Sequence, residues 1–239
     1  MALGEAERSW AAMRHDVRPF EAITALCRVL RRKRRPPVAN LDELAEFLAA
    51  QTAYVAQRTV LEYCRARTGL NWDKLVCEQV FLDSFETCRW EAYVELLAEV
   101  AELALILLRR RSPADPQAFL PGLAQATRDA LVRHPVPRQR AGWDEASAAI
   151  EQHLALSLLA APRAVHLAGC GSADAIFDHL PIHPDLRRED REMFRNSVRF
   201  ALCRVFSEVT RRLDVPALET ALQRRDGPSA HSGPPEEHW

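Results

Sequence analysis

The chain has 239 residues, 48% of them hydrophobic and 27% charged, which suits one large globular domain or two small ones with a real core. Lys plus Arg number 32 against 33 acidic residues, and that balance (formal net charge -1) speaks against a dedicated nucleic-acid binder, whose domain carries a basic excess. Only Lys33 and Lys74 are lysines; with the abundance of Ala, Leu and Arg, this points to a GC-rich bacterial genome.

The first residues, MALGEAERSW, carry acidic groups and no apolar run, so no secretory signal is read and a cytoplasmic location is expected. Helical periodicity then dominates. Residues 5–15 and 18–34 read as two helices, the second carrying Phe20, Ile23, Cys27 and Leu30 on one face. RRKRRPP (31–37) ends it at the prolines. The basic run reads first as a solvated helix end, since cations are favourable there. An acidic membrane surface, through 18–35, or a partner are the other readings.

Asn40 opens a long helix with Glu43 placed for a capping box, and Gly69 closes it after Thr68. A short piece around Trp72–Cys77 leads into a second long helix, 78–111. Its stretch VELLAEVAELALILL is the most apolar in the chain, but Glu95, Glu99 and Glu102 interrupt it and it is too short to span a bilayer. In SPADP (112–116) Asp115 caps, and Pro116 enters, a helix extending to 133. HPVPRQRAG (134–142) reads as an exposed linker and a candidate sub-boundary. Helices are expected at 143–160, 172–180 and 185–213, with a short one after Pro216. The fold class is therefore all-α: a multi-helix bundle on a long antiparallel hairpin. One domain covers 1–224, and the apolar-poor tail 225–239 reads as disordered.

The six cysteines (27, 64, 77, 88, 170, 203) are scattered with no Cys-x-x-Cys pair, and read as small buried hydrophobes. Di-iron chemistry needs Glu-x-x-His pairs on facing helices, and no histidine lies between His15 and His134 to supply them. No metal or other cofactor is called.

VHLAGCGSAD (165–174) raises three readings. A nucleotide turn needs its glycines between a strand and a helix of a parallel sheet, and the flanking segments here are helical. A nucleophilic Cys170 needs a base, with His166, His179 and His183 as candidates. The same cluster with Asp174 and Asp178 offers metal ligands, but Pro181 keeps His179 and His183 from stacking on one helix face. The favoured reading is a tight interhelical turn, in which Gly169 and Gly171 supply unusual dihedrals and Ser172 caps the next helix.

On a helical wheel Gln51, Arg58, Glu62 and Arg65 fall inside the apolar arc of 41–68, and Glu86 and Arg89 inside that of 78–111. Glu91, Glu95, Glu99 and Glu102 fall on the opposite, wet side. Folded as an antiparallel hairpin, the two helices bring Glu62 level with Glu86 and Arg58 level with Arg89 and Trp90. Four charges then meet in apolar surroundings, either as a register-fixing network or as an anchor for an anionic ligand or a partner.

The expected function is accordingly non-enzymatic: a self-associating adaptor, scaffold or regulatory partner. The alternatives are an enzyme or small-ligand receptor using the buried arginines, or a peripheral membrane protein.

Overall fold

The computed structural model describes residues 36–223. The helices expected at 5–15 and 18–34, Cys27, the basic residues 31–35 and the tail 225–239 lie outside the described residues. Residues 38–223 belong to one compact unit. The architecture is all-α, and the one β contact among the described residues is an isolated parallel bridge between Val38 and Leu213.

Helix α1, Leu41–Ala56, starts where local chemistry says it should. Asn40 Oδ1 accepts from Glu43 N at 2.9 Å. Glu43 reaches back to the N–H of Ala39, one residue before the cap. The helix then passes through a π-helical turn, Gln57–Leu61, into α2, Glu62–Thr68. That turn carries no sequence signature. It releases a backbone carbonyl from its usual partner, and the Thr59 hydroxyl donates to Val55 O at 2.8 Å. Gly69 ends α2 with φ of 52° and ψ of -126°, a conformation a side chain would oppose.

After the single turn α3, Trp72–Leu75, comes α4, Gln79–Arg111. At 33 residues it is about 50 Å long and forms the axis of the unit. It packs against α1, α6 (Asp144–Leu159), α7 (Cys170–His179) and α9 (Arg191–Arg212), so its C-terminal half has no wet side. Every residue from Ala92 to Leu108 except Glu95 is buried. Each fully buried leucine there contributes about 1.5–3 kcal/mol relative to exposure.

Asp115 Oδ1 caps Gln117 N at 3.0 Å, and Pro116 opens a 3-10 turn that feeds α5, Leu120–Val132. The 134–142 stretch is largely exposed, as expected, yet it is anchored. The His134 ring packs 4.9 Å from Tyr93, Pro137 is buried, and Arg140 bonds Glu91 Oε2 at 2.7 Å. Helices α5 and α6 pack on one another across it.

The helix expected at 185–213 is divided. α8, Pro184–Arg187, is one turn, and α9 begins only after Asp190. Asp190 is held instead by Tyr63 Oη at 2.8 Å and by the Arg67 guanidinium. Burial and the Asp190 carboxylate together push the Tyr63 phenol up to about 12, and its ring packs edge-on to Phe194 at 5.4 Å. Helix α10, Val215–Gln223, closes the described chain. Among the described residues no helix is long and apolar enough to cross a membrane.

Cys64 and Cys88 are fully buried, and burial pushes both thiols well up, Cys88 to about 12. Cys170 and Cys203 are half-buried, whereas Cys77 is exposed, against expectation, in the short loop before α4.

Candidate functional site

The expected meeting of Arg58, Glu62, Glu86 and Arg89 does not form. Arg58 pairs with Glu62 of its own helix at 3.0 Å, with both side chains more than half exposed. Arg89 approaches Glu86 of its own helix at 3.8 Å and lies 4.9 Å over the Trp90 ring. Arg65 lies 5.6 Å over Trp72. The π turn shifts the phase of Glu62 and Arg65 against α1, since a wheel drawn at 100° per residue loses its phase wherever a turn takes an extra residue. Glu86 and Arg89 stand on the regular helix α4, ahead of its enclosed half.

Trp90 is buried in an aromatic group with Tyr93, His134 and Trp143, its ring within 6.0 Å of each. Burial, and then the charges of Arg89 and Arg133, hold the His134 imidazole below its ordinary pKa.

The second candidate cluster is also dispersed. Asp174 accepts a double hydrogen bond from Arg195 at 2.8 and 2.9 Å, and Asp178 takes Arg191 at 2.5 Å. His166 is exposed and offers its backbone carbonyl to Arg199 at 2.7 Å. His183 caps α8 beside Asp185, and His179 is exposed. Among the described residues, no group of three or more His, Cys, Asp or Glu side chains is placed to hold a metal ion.

Gly169, not Ser172, occupies the cap of α7, which starts at Cys170. Its φ is 76°, and a Cβ there would stand 2.4 Å from Leu202 Cδ1. The glycine thus supplies both the left-handed turn and the close approach of α7 to α9.

What receives the α7 N-terminus is a group the wheel had put in water. Glu99, 2% exposed, accepts Gly169 N at 2.9 Å and the Ser172 hydroxyl at 2.8 Å. The carboxylate satisfies donors at the positive end of the helix. One turn on, Glu102 takes His153 Nε2 at 2.8 Å and Arg163 Nε at 2.9 Å, and Arg163 also reaches Glu99 at 3.3 Å. Burial raises the Glu102 pKa, but hydrogen bonds from His153 and Arg163 outweigh it and hold the carboxyl at about 2. The bond to Glu102 raises both His153 and Arg163. Every carboxylate oxygen in this node has a protein partner, so it ties α4, α6 and α7 together.

Among the described residues, one arrangement open to a ligand lies against α9. An open trough of about 630 Å³ runs between α1, its π turn and α9, lined by Tyr54, Arg58, Met193, Asn196, Ser197, Phe200, Ala201 and Arg204. Phe200 is 74% exposed and Met193 56%, on a helix whose opposite face carries Phe194, Val198 and Leu202 into the core. Arg204 lies 5.9 Å over the Tyr54 ring. Of these residues only Arg58 was singled out from the sequence. An apolar residue at 193 and another at 200, seven apart beside buried neighbours, was the legible signal.

Comparison with protein-family models, curated proteins and solved structures finds no match for this chain.

Proposed function

We propose that the protein works by binding another protein, as an adaptor, scaffold or regulatory partner, with the α1/α9 trough as its working surface. The observation that carries this reading is Phe200, an aromatic ring standing in water beside Met193 and between two arginines. Exposed aromatics with neighbouring Arg are the residues that dominate binding energy at protein interfaces. The adjoining π turn, a feature frequent at functional sites, supports the same surface. The lining offers no carboxylate, imidazole or thiol for acid–base or nucleophilic work. Small-molecule sites bury most of their ligand, and this trough leaves Phe200 and Met193 largely exposed.

A photo-reactive residue in place of Ser197 tests the reading in the native host. The expected product is a protein-sized adduct that disappears when Phe200→Asp is added. A small-molecule adduct would favour the ligand-receptor alternative, and no adduct would remove the trough from consideration.

A further inference from the structure

Resting on that reading, the chemistry of the trough says what kind of protein segment it takes. Its charged lining consists of two guanidinium groups and no carboxylate: Arg58 on the wall formed by the π turn, Arg204 on the wall formed by α9. Arg58 has a single exposed carboxylate neighbour, Glu62, outside the lining. Arg204 has no carboxylate partner among the described residues and rests on the Tyr54 ring. Between the cations lie the apolar surfaces of Phe200 and Met193 and the neutral polar groups of Asn196 and Ser197.

The spacing is helical. Met193 and Phe200 are two turns apart, about 10 Å along the axis, which is the repeat of the apolar stripe on an amphipathic helix. From Met193 to Arg204 the surface extends about 16 Å, room for some three turns of a docked helix.

We infer that the trough receives an acidic amphipathic helix of a partner protein, its apolar stripe seated on Met193 and Phe200 and its carboxylates reaching Arg58 and Arg204. Two-fold self-association through this patch would set the same surface against itself and bring the arginines of one copy to those of the other. Like charges brought together in this way disfavour a second copy. The concave lining also suits a rod better than the flat face of a bilayer.

The experiment uses the full chain and synthetic helical peptides of about 18 residues, with Leu or Phe at every third or fourth position. One peptide carries Glu elsewhere, a second carries Lys in the same places, and a third keeps Glu with the apolar positions changed to Ser. Binding is read by fluorescence anisotropy at two salt concentrations, alongside binding to phosphatidylserine vesicles and sedimentation of the protein alone. The acidic amphipathic peptide is expected to bind saturably and more weakly at high salt. The basic and Ser-substituted peptides are expected to bind at least about tenfold more weakly. Phe200→Ala and Arg204→Glu should each weaken the acidic peptide by about tenfold or more, with Arg204→Lys retaining most of it. Unchanged circular dichroism melts exclude unfolding, since both side chains are exposed.

Equal or tighter binding of the basic peptide, lost in Phe200→Ala, overturns the acidic inference while leaving the trough a docking surface. No binding of any helix overturns both. Phe200-dependent vesicle binding without peptide binding overturns it in favour of a membrane. A dimer dissolved by Phe200→Asp overturns it in favour of a second copy.

Discussion

Two groups of charged residues that share α4 have opposite fates. Arg58, Glu62, Glu86 and Arg89 lie toward the hairpin end of the unit, where each pair is local, at i,i+4 or i,i+3, and partly wet. Glu99 and Glu102 lie further along α4, where the helix is enclosed, and their partners come from 51 to 73 residues away. Both regions set charged residues among apolar ones, the second being the more apolar. The difference is the number of elements packed around the helix, and it decides whether a charge is a solvated ornament or a structural joint.

The largest expected effect comes from breaking the joint. Glu99→Ala leaves Gly169 N–H, the Ser172 hydroxyl and one Arg163 contact without their acceptor in a buried site. Removing one partner of a buried charged pair typically costs about 3–5 kcal/mol. Urea denaturation should show a midpoint lowered accordingly, and amide exchange should show first-turn protection of α7 falling first. A loss below about 1 kcal/mol, the range of exposed pairs, would show that the node is wetter than the geometry says.

Smaller and more diagnostic is the pH dependence. Glu102 is held at about 2, below its ordinary 4.5, so its contribution is present above 4.5 and is lost as pH falls toward 2. By linkage that interval corresponds to about 3 kcal/mol. His153 is raised above 6.5, so its share is fully present below 6.5 and is lost as pH rises through its folded value. The two shifts share the His153–Glu102 hydrogen bond, and they are not to be added. In thermal melts across pH the contributions of Glu102 and His153 should both be complete between 4.5 and 6.5. His134, held below its ordinary value, should lower stability as pH falls below 6.5 in wild type and His153→Gln alike. In His153→Gln the alkaline fall should flatten, with part of the acid fall remaining through Arg163. Identical profiles would exclude His153 from the node.

These effects mark where sequence reasoning ended. The start of α1, the end of α2 and the start of the 116–132 segment were legible because Asn40, Gly69, Asp115 and Pro116 act on their immediate neighbours. The length of α4 was legible too, within one residue at its start. Its wet face was not, because the wheel assumes that one side of a helix meets water. VELLAEVAELALILL is apolar on all sides apart from its glutamates, which is the pattern of an enclosed helix whose carboxylates need partners. The partners, Arg163 and the Gly169–Ser172 turn, have no fixed spacing from Glu99 and leave no motif. The 165–174 segment is an interhelical turn, as its glycines imply, but only Gly169 takes the left-handed conformation. Gly171 is helical, and the cap lies three residues before Ser172 because the capping group comes from another helix. The trough leaves no motif for a related reason: it exists only where α1, its π turn and α9 meet.

The smallest expected effects lie at the hairpin end, and they test the comparison from its other side. A shared buried network over Glu62 and Arg89 would make each single replacement costly and the pair non-additive. The structure separates them: Glu62 holds an exposed Arg58 at 3.0 Å, and Arg89 lies over Trp90 beside Glu86. Glu62→Ala should therefore cost about 0–1 kcal/mol. Arg89→Ala should cost at least about 0.5–1 kcal/mol, the worth of its contact with the Trp90 ring. Since Glu62 pairs with Arg58, and Arg89 with Glu86 and the Trp90 ring, the two losses should add to within about 0.5 kcal/mol in the double variant. Denaturant melts of the two singles and the double read all three numbers together. A coupling well above that limit would mean that Glu62 and Arg89 meet after all, and that the π turn does not set the phase of α2 as described.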